Sequence, residues 1–239
     1  MTFTLNPNLD LNALAQTFSA RGRVQVEDFL ALEDAERLHD SLVREQQWRL
    51  TFNVGQKVFE FSPEELNALE PARRKLLDLQ VTGGARSGFQ YRYHSLRIPD
   101  GQAARGAAPD LRNQLAAWLS EGAGRRFLRT VTGVSDFNFV DGQVTAYKPG
   151  DFLTVHDDAA PRTSRRAAYV LNLTKDWRPD WGGLLIFHDA HELAAWPPSF
   201  NTLNLFRIPQ PHSVSAVVSS APRPRYSISG WLRSGPRPP

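Results

Sequence analysis

The most regular pattern in this chain is an alternation of apolar and polar residues that begins near residue 134. From there, short runs rich in β-branched and aromatic residues follow one another, separated by Gly, Pro, Asn and Asp. The runs cover residues 143–147, 152–156, 167–174, 183–188, 191–196, 201–207, 212–218 and 224–232. Short strands at this spacing are typical of a β-sandwich or barrel. The second half of the chain is therefore predicted to form a jelly-roll core.

Before residue 134 the apolar spacing is mainly helical. Residues recur every three or four positions within about 9–18, 33–43, 62–79, 109–119 and 124–131. Ser62 and Pro63 give the clearest helix start, because serine caps the first turn and proline fits its first position. The Gly-rich stretch 82–88 is predicted to end that helix. A strand at 23–27, a hairpin over 48–61 and an extended segment at 89–93 interrupt the helices.

These patterns predict an α+β fold, a double-stranded β-helix (jelly roll) supported by N-terminal helices. One domain over residues 1–239 is expected, since β-sandwiches and barrels reach this length undivided. Within it, residues 1–133 supply mainly helical support, residues 134–233 the jelly-roll core and residues 234–239 a frayed tail.

The amino-acid composition limits the kinds of metal site that the chain can form. The chain contains no cysteine, which excludes disulfides, Fe–S clusters and thiolate zinc sites and leaves His, Asp and Glu as strong metal ligands. The first residues show no signal peptide and no run reaches the length of a membrane span, so a cytoplasmic protein is expected. The formal charge of +3 comes from scattered arginines without a continuous basic stripe, which argues against nucleic acid as a partner.

The main candidate for chemistry is the segment 143–158. Residues 143–147 and 152–156 alternate as strands around a Lys-Pro-Gly-Asp turn, which predicts a β-hairpin. On an extended chain, residues two apart point to the same face. His156 and Asp158 are therefore expected to converge on one cation, with Asp157 pointing away.

A third ligand has to come from another element, and His212 opens the strand-like run 212–218. Two histidines and one carboxylate on one face leave coordination positions open, which is the arrangement of non-haem Fe(II) oxygenases. His156, Asp158 and His212 are thus predicted to bind the metal. The pair His188 and His191 is a rival cluster, interpreted here as loop histidines near the cavity mouth because a strand runs into that turn.

An iron centre of this kind needs a reductant, and 2-oxoglutarate supplies it if a cation binds its distal carboxylate. Arginine suits this role because its planar fork makes two parallel bonds to a carboxylate. Arg225 opens the strand after His212, where alternation places Ser227 and Ser229 on the same face. Arg223 is the alternative cation, and the Tyr147 hydroxyl is expected to bind the same carboxylate.

Four blocks of the sequence carry a resemblance to a known family. They are Tyr147-x-x-Gly150-x-Phe152-x-x-His156-x-Asp158, Trp181-Gly182-Gly183-x-Leu185, His212-x-Val214 and Arg225-x-Ser227-Ile-Ser-Gly-Trp231. In this order they resemble the prolyl-hydroxylase-like branch of the 2-oxoglutarate/Fe(II)-dependent dioxygenases. The stretch 165–183 is similar to the subgroup that holds the ribosomal-protein prolyl hydroxylases and their bacterial relatives.

This resemblance implies His156, Asp158 and His212 as iron ligands, with Arg225 and Tyr147 binding 2-oxoglutarate. It implies Fe(II), 2-oxoglutarate and O₂ as cofactor and co-substrates, and ascorbate as a possible further ligand. The implied reaction hydroxylates a prolyl residue of a protein or peptide and releases succinate and CO₂.

Three other functions stay open at this point. The same centre suits hydroxylation of a free amino acid or small metabolite, and a jelly roll also suits a non-catalytic cupin-like binding protein. A zinc hydrolase, with Asp157 as its base, fits the pattern less well.

Several segments are expected around the site. Residues 57–61 and 82–88 are candidates for a lid, and Phe89, Tyr91 and Tyr93 either approach the target or pack in the core. Three arginines, Arg162, Arg165 and Arg166, form either a basic rim for an acidic substrate or a solvated face.

Overall fold

The computed structural model describes residues 3–107, 110–159, 164–189 and 193–238. The helices within these ranges are α1 (Leu11–Arg21), α2 (Leu32–Arg44), α3 (Pro63–Ala68), α4 (Pro71–Ala85), α5 (Gln102–Ala107), α6 (Leu111–Ser120) and α7 (Gly122–Thr132). The strands are β1 (Arg23–Val26), β2 (Arg49–Val54), β3 (Lys57–Phe61), β4 (Tyr91–Ile98), β5 (Phe139–Val140), β6 (Gly142–Tyr147), β7 (Phe152–His156), β8 (Arg165–Asn172), β9 (Leu185–His188), β10 (Leu193–Trp196), β11 (Thr202–Arg207), β12 (His212–Val214) and β13 (Arg225–Arg233).

The helix predicted over 62–79 is wrong in two respects. Ser62 caps α3 with a complete capping box, as its sequence indicated, but this helix ends at Ala68. Glu70 adopts an extended ψ of 140° ahead of Pro71, because the residue before proline avoids helical backbone angles, and Pro71 then starts α4. The second helix continues through two glycines to Ala85, so the Gly-rich stretch does not end it at residue 82.

The strands form one strongly curled antiparallel sheet. Along its path the order is β1-β11-β8-β13-β6-β4-β7-β12-β9-β10, while β2 pairs with β3 and β4, and β5 pairs with β13. β4 connects the two halves of this sheet, since residues 94–98 pair with β6 whereas Tyr91 and Arg92 pair with β7. The curl places the two halves face to face around a cavity, as a double-stranded β-helix requires.

The hairpin predicted over 143–156 does not form, although both strands do. β6 pairs with β13 and β4, while β7 pairs with β4 and β12. The turn at 148–151 carries the chain from one half of the sheet to the other instead of folding it back on itself. Asp151 closes this turn by accepting a hydrogen bond from the backbone N–H of Lys148 at 2.9 Å. The hairpin predicted over 48–61 is confirmed as β2–β3.

The main core lies between the helices and the outer face of the sheet. It combines Phe18 of α1, Leu38 of α2 and Leu119 of α6 with sheet residues such as Leu171 and Leu205, all buried. A second cluster around Phe187 lines the inner face. The first part of the chain contributes β1 to β4 to the sheet in addition to its helices. None of the helices in the described part of the chain combines the length and apolarity needed to span a membrane.

Candidate metal centre and co-substrate cavity

A cavity of about 410 Å³ opens between the two halves of the sheet. Its walls contain each of the site residues predicted above from the sequence, namely Tyr147, His156, Asp158, His212 and Arg225. The remaining wall is largely aromatic and aliphatic. Such a mixture of apolar lining and few convergent polar groups is the usual composition of a small-molecule site.

The structure brings His156, Asp158 and His212 together. The potential ligand atoms of these three residues all lie within 4.8 Å of one another. His156 Nε2 is 3.4 Å from Asp158 Oδ1, and His212 Nε2 is 3.6 Å from Asp158 Oδ2. The two histidines are direct cross-strand partners of β7 and β12, and their ring centroids are 4.1 Å apart. Strand pairing therefore fixes the two imidazoles side by side.

The other ring nitrogen of each histidine is bound to the backbone. His156 Nδ1 donates to the Thr154 carbonyl oxygen at 3.1 Å, and His212 Nδ1 donates to the Gln210 carbonyl oxygen at 2.7 Å. These bonds keep the proton on Nδ1 and leave each Nε2 lone pair directed at the shared centre. Metal-binding histidines are commonly oriented by such a second hydrogen bond. The donor set therefore fits a divalent transition metal with open positions.

Asp158 reaches the centre by a route that strand alternation does not describe. β7 ends at His156, and Asp158 has a left-handed φ of 60°. Arg165 Nη1 donates to its carbonyl oxygen at 3.1 Å, and Trp231 Nε1 donates to Oδ2 at 2.9 Å. Two hydrogen bonds from outside β7 thus hold the backbone and carboxylate of Asp158. Asp157 is exposed, as expected.

Burial and charge both act on these groups. Burial raises the pKa of Asp158, but the hydrogen bond and charge of His156 together with His212 and Trp231 outweigh it, so the pKa lies below its usual value. Burial, followed by repulsion from His156, lowers the pKa of His212 to about 4. At neutral pH the centre accordingly consists of a carboxylate beside a neutral His212 imidazole, which is the protonation state that a metal ligand needs.

Arg225 lies in the same cavity and is 2% exposed. Its Nη2 donates to Asn172 Oδ1 at 3.2 Å, and its guanidinium carbon is 5.2 Å from the centroid of the Tyr147 ring. Its Nε has no hydrogen-bond partner among the described residues. Burial lowers the pKa of Arg225, and the neighbouring Tyr147 opposes this effect in part; no carboxylate of the described residues contributes. A buried cation without an acid is costly unless an anion joins it.

The alternative cation, Arg223, is exposed and donates to the Lys175 carbonyl oxygen at 3.4 Å. It is absent from the cavity wall, whereas Ser227 and Ser229 line the cavity with Arg225. The predicted alternation of this strand is therefore observed.

A row of aromatic rings runs from the rim of the cavity to its interior. We call Phe89, Tyr91, Tyr93 and Tyr147 the aromatic row; successive ring centroids are 5.5, 5.3 and 5.3 Å apart. Phe89 is 49% exposed and lies 5.2 Å from the His156 ring, while Tyr147 is buried beside Arg225. Phe89, Tyr91 and Tyr93 thus line the cavity, whereas their sequence left open whether they approach the target or pack in the core.

Trp231 and Arg165 lie next to Asp158 and form another part of the cavity wall. The Arg165 guanidinium carbon lies 3.5 Å from the centroid of the Trp231 ring, so the cation stacks on the indole. No role was predicted for Trp231, yet the alternation that places Arg225 and Ser229 on the inner face extends to Trp231. Asn172, which binds Arg225, carried no comparable signal.

The other described candidates, His188 and Arg166, are not part of the cavity wall. His188 Nε2 is hydrogen-bonded to the Ser213 hydroxyl at 2.8 Å. His191, the other histidine of the rival cluster, is outside the described residues. Arg166 forms a surface ion pair with Asp136 at 2.6 Å, and Arg162 is also outside the described residues. The two lid candidates belong to regular elements: residues 57–61 form β3, and residues 82–85 form the last turn of α4.

Comparison with known proteins agrees with this geometry. The family model described as the 2OG-Fe(II) oxygenase superfamily matches residues 142–233. Prolyl 3-hydroxylase OGFOD1 of Mus musculus is 35% identical over 127 residues, a match that covers 48% of this chain and 23% of that protein. This chain therefore matches about a quarter of the length of that relative.

Three solved structures show a similar fold. A prolyl-4-hydroxylase of Pseudomonas putida has 20% identity and a TM-score of 0.62, covering 95% of this chain and 100% of that one. A 2OG-Fe(II) oxygenase-family oxidoreductase of Burkholderia pseudomallei has 13% identity and a TM-score of 0.63, covering 99% and 96%. A prolyl hydroxylase of Trichoplax adhaerens, in complex with a hypoxia-inducible-factor peptide, has 15% identity and a TM-score of 0.60, covering 94% and 89%.

The family match contains the complete candidate centre together with Tyr147 and Arg225. The described fold is the double-stranded β-helix of the compared oxygenases. Residues 142–233 of this chain are therefore similar in sequence to the 2OG-Fe(II) oxygenase superfamily.

Proposed function

We propose that this protein is a 2-oxoglutarate- and Fe(II)-dependent dioxygenase that hydroxylates a prolyl residue of a protein or peptide. One observation carries the proposal: a His–Asp–His cluster shares a cavity of about 410 Å³ with a buried arginine that no acid of the described residues neutralises. A metal site alone is compatible with many functions. A metal site beside an unpaired buried cation calls for a ligand that is both a chelator and an anion, as 2-oxoglutarate is.

In this proposal His156, Asp158 and His212 hold the iron, and Arg225 binds the distal carboxylate of 2-oxoglutarate with help from the Tyr147 hydroxyl. When bound, iron and 2-oxoglutarate together supply O₂ activation, with succinate and CO₂ as products. The contribution of the chain is to orient and to exclude water. Arg225 fixes the inner end of the co-substrate, and the hydrogen bond from Trp231 keeps Asp158 from rotating away from the centre.

The side chains at the rim of the cavity support the proposal that the substrate contains proline. Exposed Phe89 and partly exposed Trp231 both line the cavity. Aromatic surfaces of this kind suit proline, whose rigid ring and extended backbone dock on them at low entropic cost. The compared proteins support the same proposal, since they include a prolyl 3-hydroxylase, a prolyl-4-hydroxylase and a prolyl hydroxylase in complex with a peptide.

The test has two stages. Anaerobic titration with Fe(II) and 2-oxoglutarate is expected to give the weak visible charge-transfer band of the chelated metal in the wild type. His156→Ala removes a proposed ligand and is expected to lose the band, whereas His188→Ala, whose ring bonds to Ser213 outside the cluster, is expected to keep it. A wild-type protein without the band contradicts the proposal.

The second stage identifies the substrate class. With proline-containing peptides, mass spectrometry is expected to show a gain of one oxygen together with stoichiometric succinate. Oxygen gain on free amino acids or small metabolites, with none on peptides, contradicts the peptide assignment while leaving the oxygenase chemistry in place. Succinate formation with no substrate oxidised under any condition contradicts the hydroxylase assignment.

A further inference from the structure

A second and larger cavity lies on the other face of the same strands. Its volume is about 600 Å³, and it is enclosed by α3 and α4 together with β2, β4, β6 and β13. Neighbouring residues of single strands line different cavities: Ala146 lines this one and Tyr147 the oxygenase cavity, and the same holds for His94 and Tyr93. Strand alternation thus separates the two spaces by one layer of backbone.

Most of the wall of this second cavity is apolar. The sheet and the residue before β2 contribute Trp48, Leu50, Phe52 and Tyr226, and the two helices with their connection contribute Leu66, Leu69, Leu77 and Val81. The space is a cleft that is partly open to solvent, so a ligand can enter it without unfolding of the chain. The volume falls within the 300–1,000 Å³ that is usual for ligand sites. The wall therefore suits the hydrocarbon part of a ligand.

The charges at the cavity are largely internally compensated, with two exceptions. Arg92 pairs with Asp78 at 2.7 Å and with buried Asp151 at 3.3 Å. Glu45 pairs with Arg112 at 3.4 Å.

The exceptions are Arg74 and Lys148. Arg74 donates to the Leu66 carbonyl oxygen, and neither cation has a carboxylate partner among the described residues. Both are exposed, so each is positioned to meet a charged group at the edge of the cavity. The uncompensated charge of this space is positive.

We propose that this second cavity binds a small amphipathic anion, with an alkyl or aryl body against the apolar wall and a carboxylate head near Arg74 and Lys148. The ligand class follows from the two properties of the wall, apolar surface inside and uncompensated positive charge at the edge. The site is separate from the oxygenase cavity and does not depend on the function proposed above.

Decanoate and decanol are matched probes, since they share an alkyl chain and differ in head-group charge. Calorimetric titration of the full-length protein, saturated with Mn(II) and 2-oxoglutarate, is expected to show decanoate binding at least tenfold tighter than decanol. In the Arg74→Gln/Lys148→Gln variant this preference is expected to disappear. Lys75→Gln, which removes an exposed positive charge next to Arg74 but outside the cavity wall, is expected to retain it.

A cavity-filling variant tests the body of the ligand. Leu77→Trp is expected to weaken the binding of both probes at least tenfold, with circular dichroism confirming that the variant is folded. The charge variants change exposed side chains and give an answer even if this one does not fold. The proposal is overturned if the wild type shows no saturable decanoate binding, or if the double Gln variant and Lys75→Gln lose the preference equally.

Discussion

Arg225 illustrates how a single residue can be unfavourable for the free protein and useful for the complex. Its guanidinium is 2% exposed and has Asn172 and the face of Tyr147 as neighbours, with no acid among the described residues. Burying an uncompensated charge costs free energy, which burial expresses here as a lowered arginine pKa. An incoming carboxylate removes that cost and gains two charge-assisted hydrogen bonds.

We therefore expect Arg225→Gln to weaken 2-oxoglutarate binding without lowering the stability of the ligand-free protein. A hydrogen bond to a charged group contributes about 1.5–3 kcal/mol, so Kd is expected to rise roughly 10- to 100-fold. Thermal unfolding with and without 2-oxoglutarate measures both effects, and Arg223→Gln is the control because that side chain is exposed. A variant that loses stability without ligand but retains the ligand-induced shift in Tm contradicts this role.

The sequence allowed the residues of the candidate site to be predicted, but not the contacts that fix their positions. Strand alternation placed His156 and Asp158 on one face, but Asp158 follows the strand and reaches the centre through a positive φ. Its position depends on Arg165 and Trp231, which are distant in the sequence. A local pattern contains no information about such partners. The alternation of side chains between the two faces does hold along the nine residues of β13. Applied to its end, it would have identified Trp231 as a residue of the cavity wall.

Among the structural elements, the Trp181-Gly182-Gly183 segment lies close to the Arg225 side chain. Gly183 has a φ of 65°, and a Cβ added there would lie 2.9 Å from Arg225 Cδ and 3.4 Å from Val217 Cγ2. Side chains at φ near 60° are strained in any location, so strain alone does not distinguish this glycine. The contact with Arg225 does.

Gly183→Ala is accordingly expected to weaken 2-oxoglutarate binding, because the new methyl group displaces the Arg225 side chain. Gly55→Ala is a matched control: its φ is 59°, and nothing lies within 4 Å of the added Cβ. Both variants should lose about 1 kcal/mol of stability from backbone strain, but only Gly183→Ala should raise Kd for 2-oxoglutarate, by at least threefold. Equal affinities in the two variants would show that the close contact is without consequence.

The elements also show which structural features a sequence pattern can predict. Each predicted run of the second half has a strand in the described residues, because period-two alternation is local. The pairing of β6 with β13 and β4, and of β7 with β12, is not local, and the turn at 148–151 was interpreted as a hairpin for that reason. Pairing depends on which buried faces meet in three dimensions.

For the whole molecule, the single domain remains a prediction, and the main core of the described residues provides a way to test it. The main core contains residues from Phe3 to Leu232, and helix α2 packs through Leu38 into the same cluster as Leu171 and Leu205 of the sheet. Helices and sheet therefore share one buried surface.

Leu38→Ala is expected to lower the free energy of unfolding by about 2–5 kcal/mol, as is usual for such a truncation in a core. If the helices and the sheet form one cooperative unit, far-UV circular dichroism and tryptophan fluorescence will show a single shared transition shifted to lower denaturant concentration. Leu32→Ala, at a position of α2 that is 57% exposed, is the control and should change stability little. Two separate transitions in the Leu38 variant, with only the first shifted, would show that the helical support unfolds independently of the jelly roll.

The alternation of β4 has a consequence for how this protein can vary. Its odd-numbered tyrosines, Tyr91 and Tyr93, line the oxygenase cavity, while Arg92 and His94 line the larger cavity behind it. Point substitutions at adjacent positions therefore affect different spaces and can accumulate independently. An insertion or deletion of one residue would exchange the two sets at once, placing charged groups among the aromatic rings and tyrosines among the ion pairs, so related chains should differ in this strand by replacement and not by length.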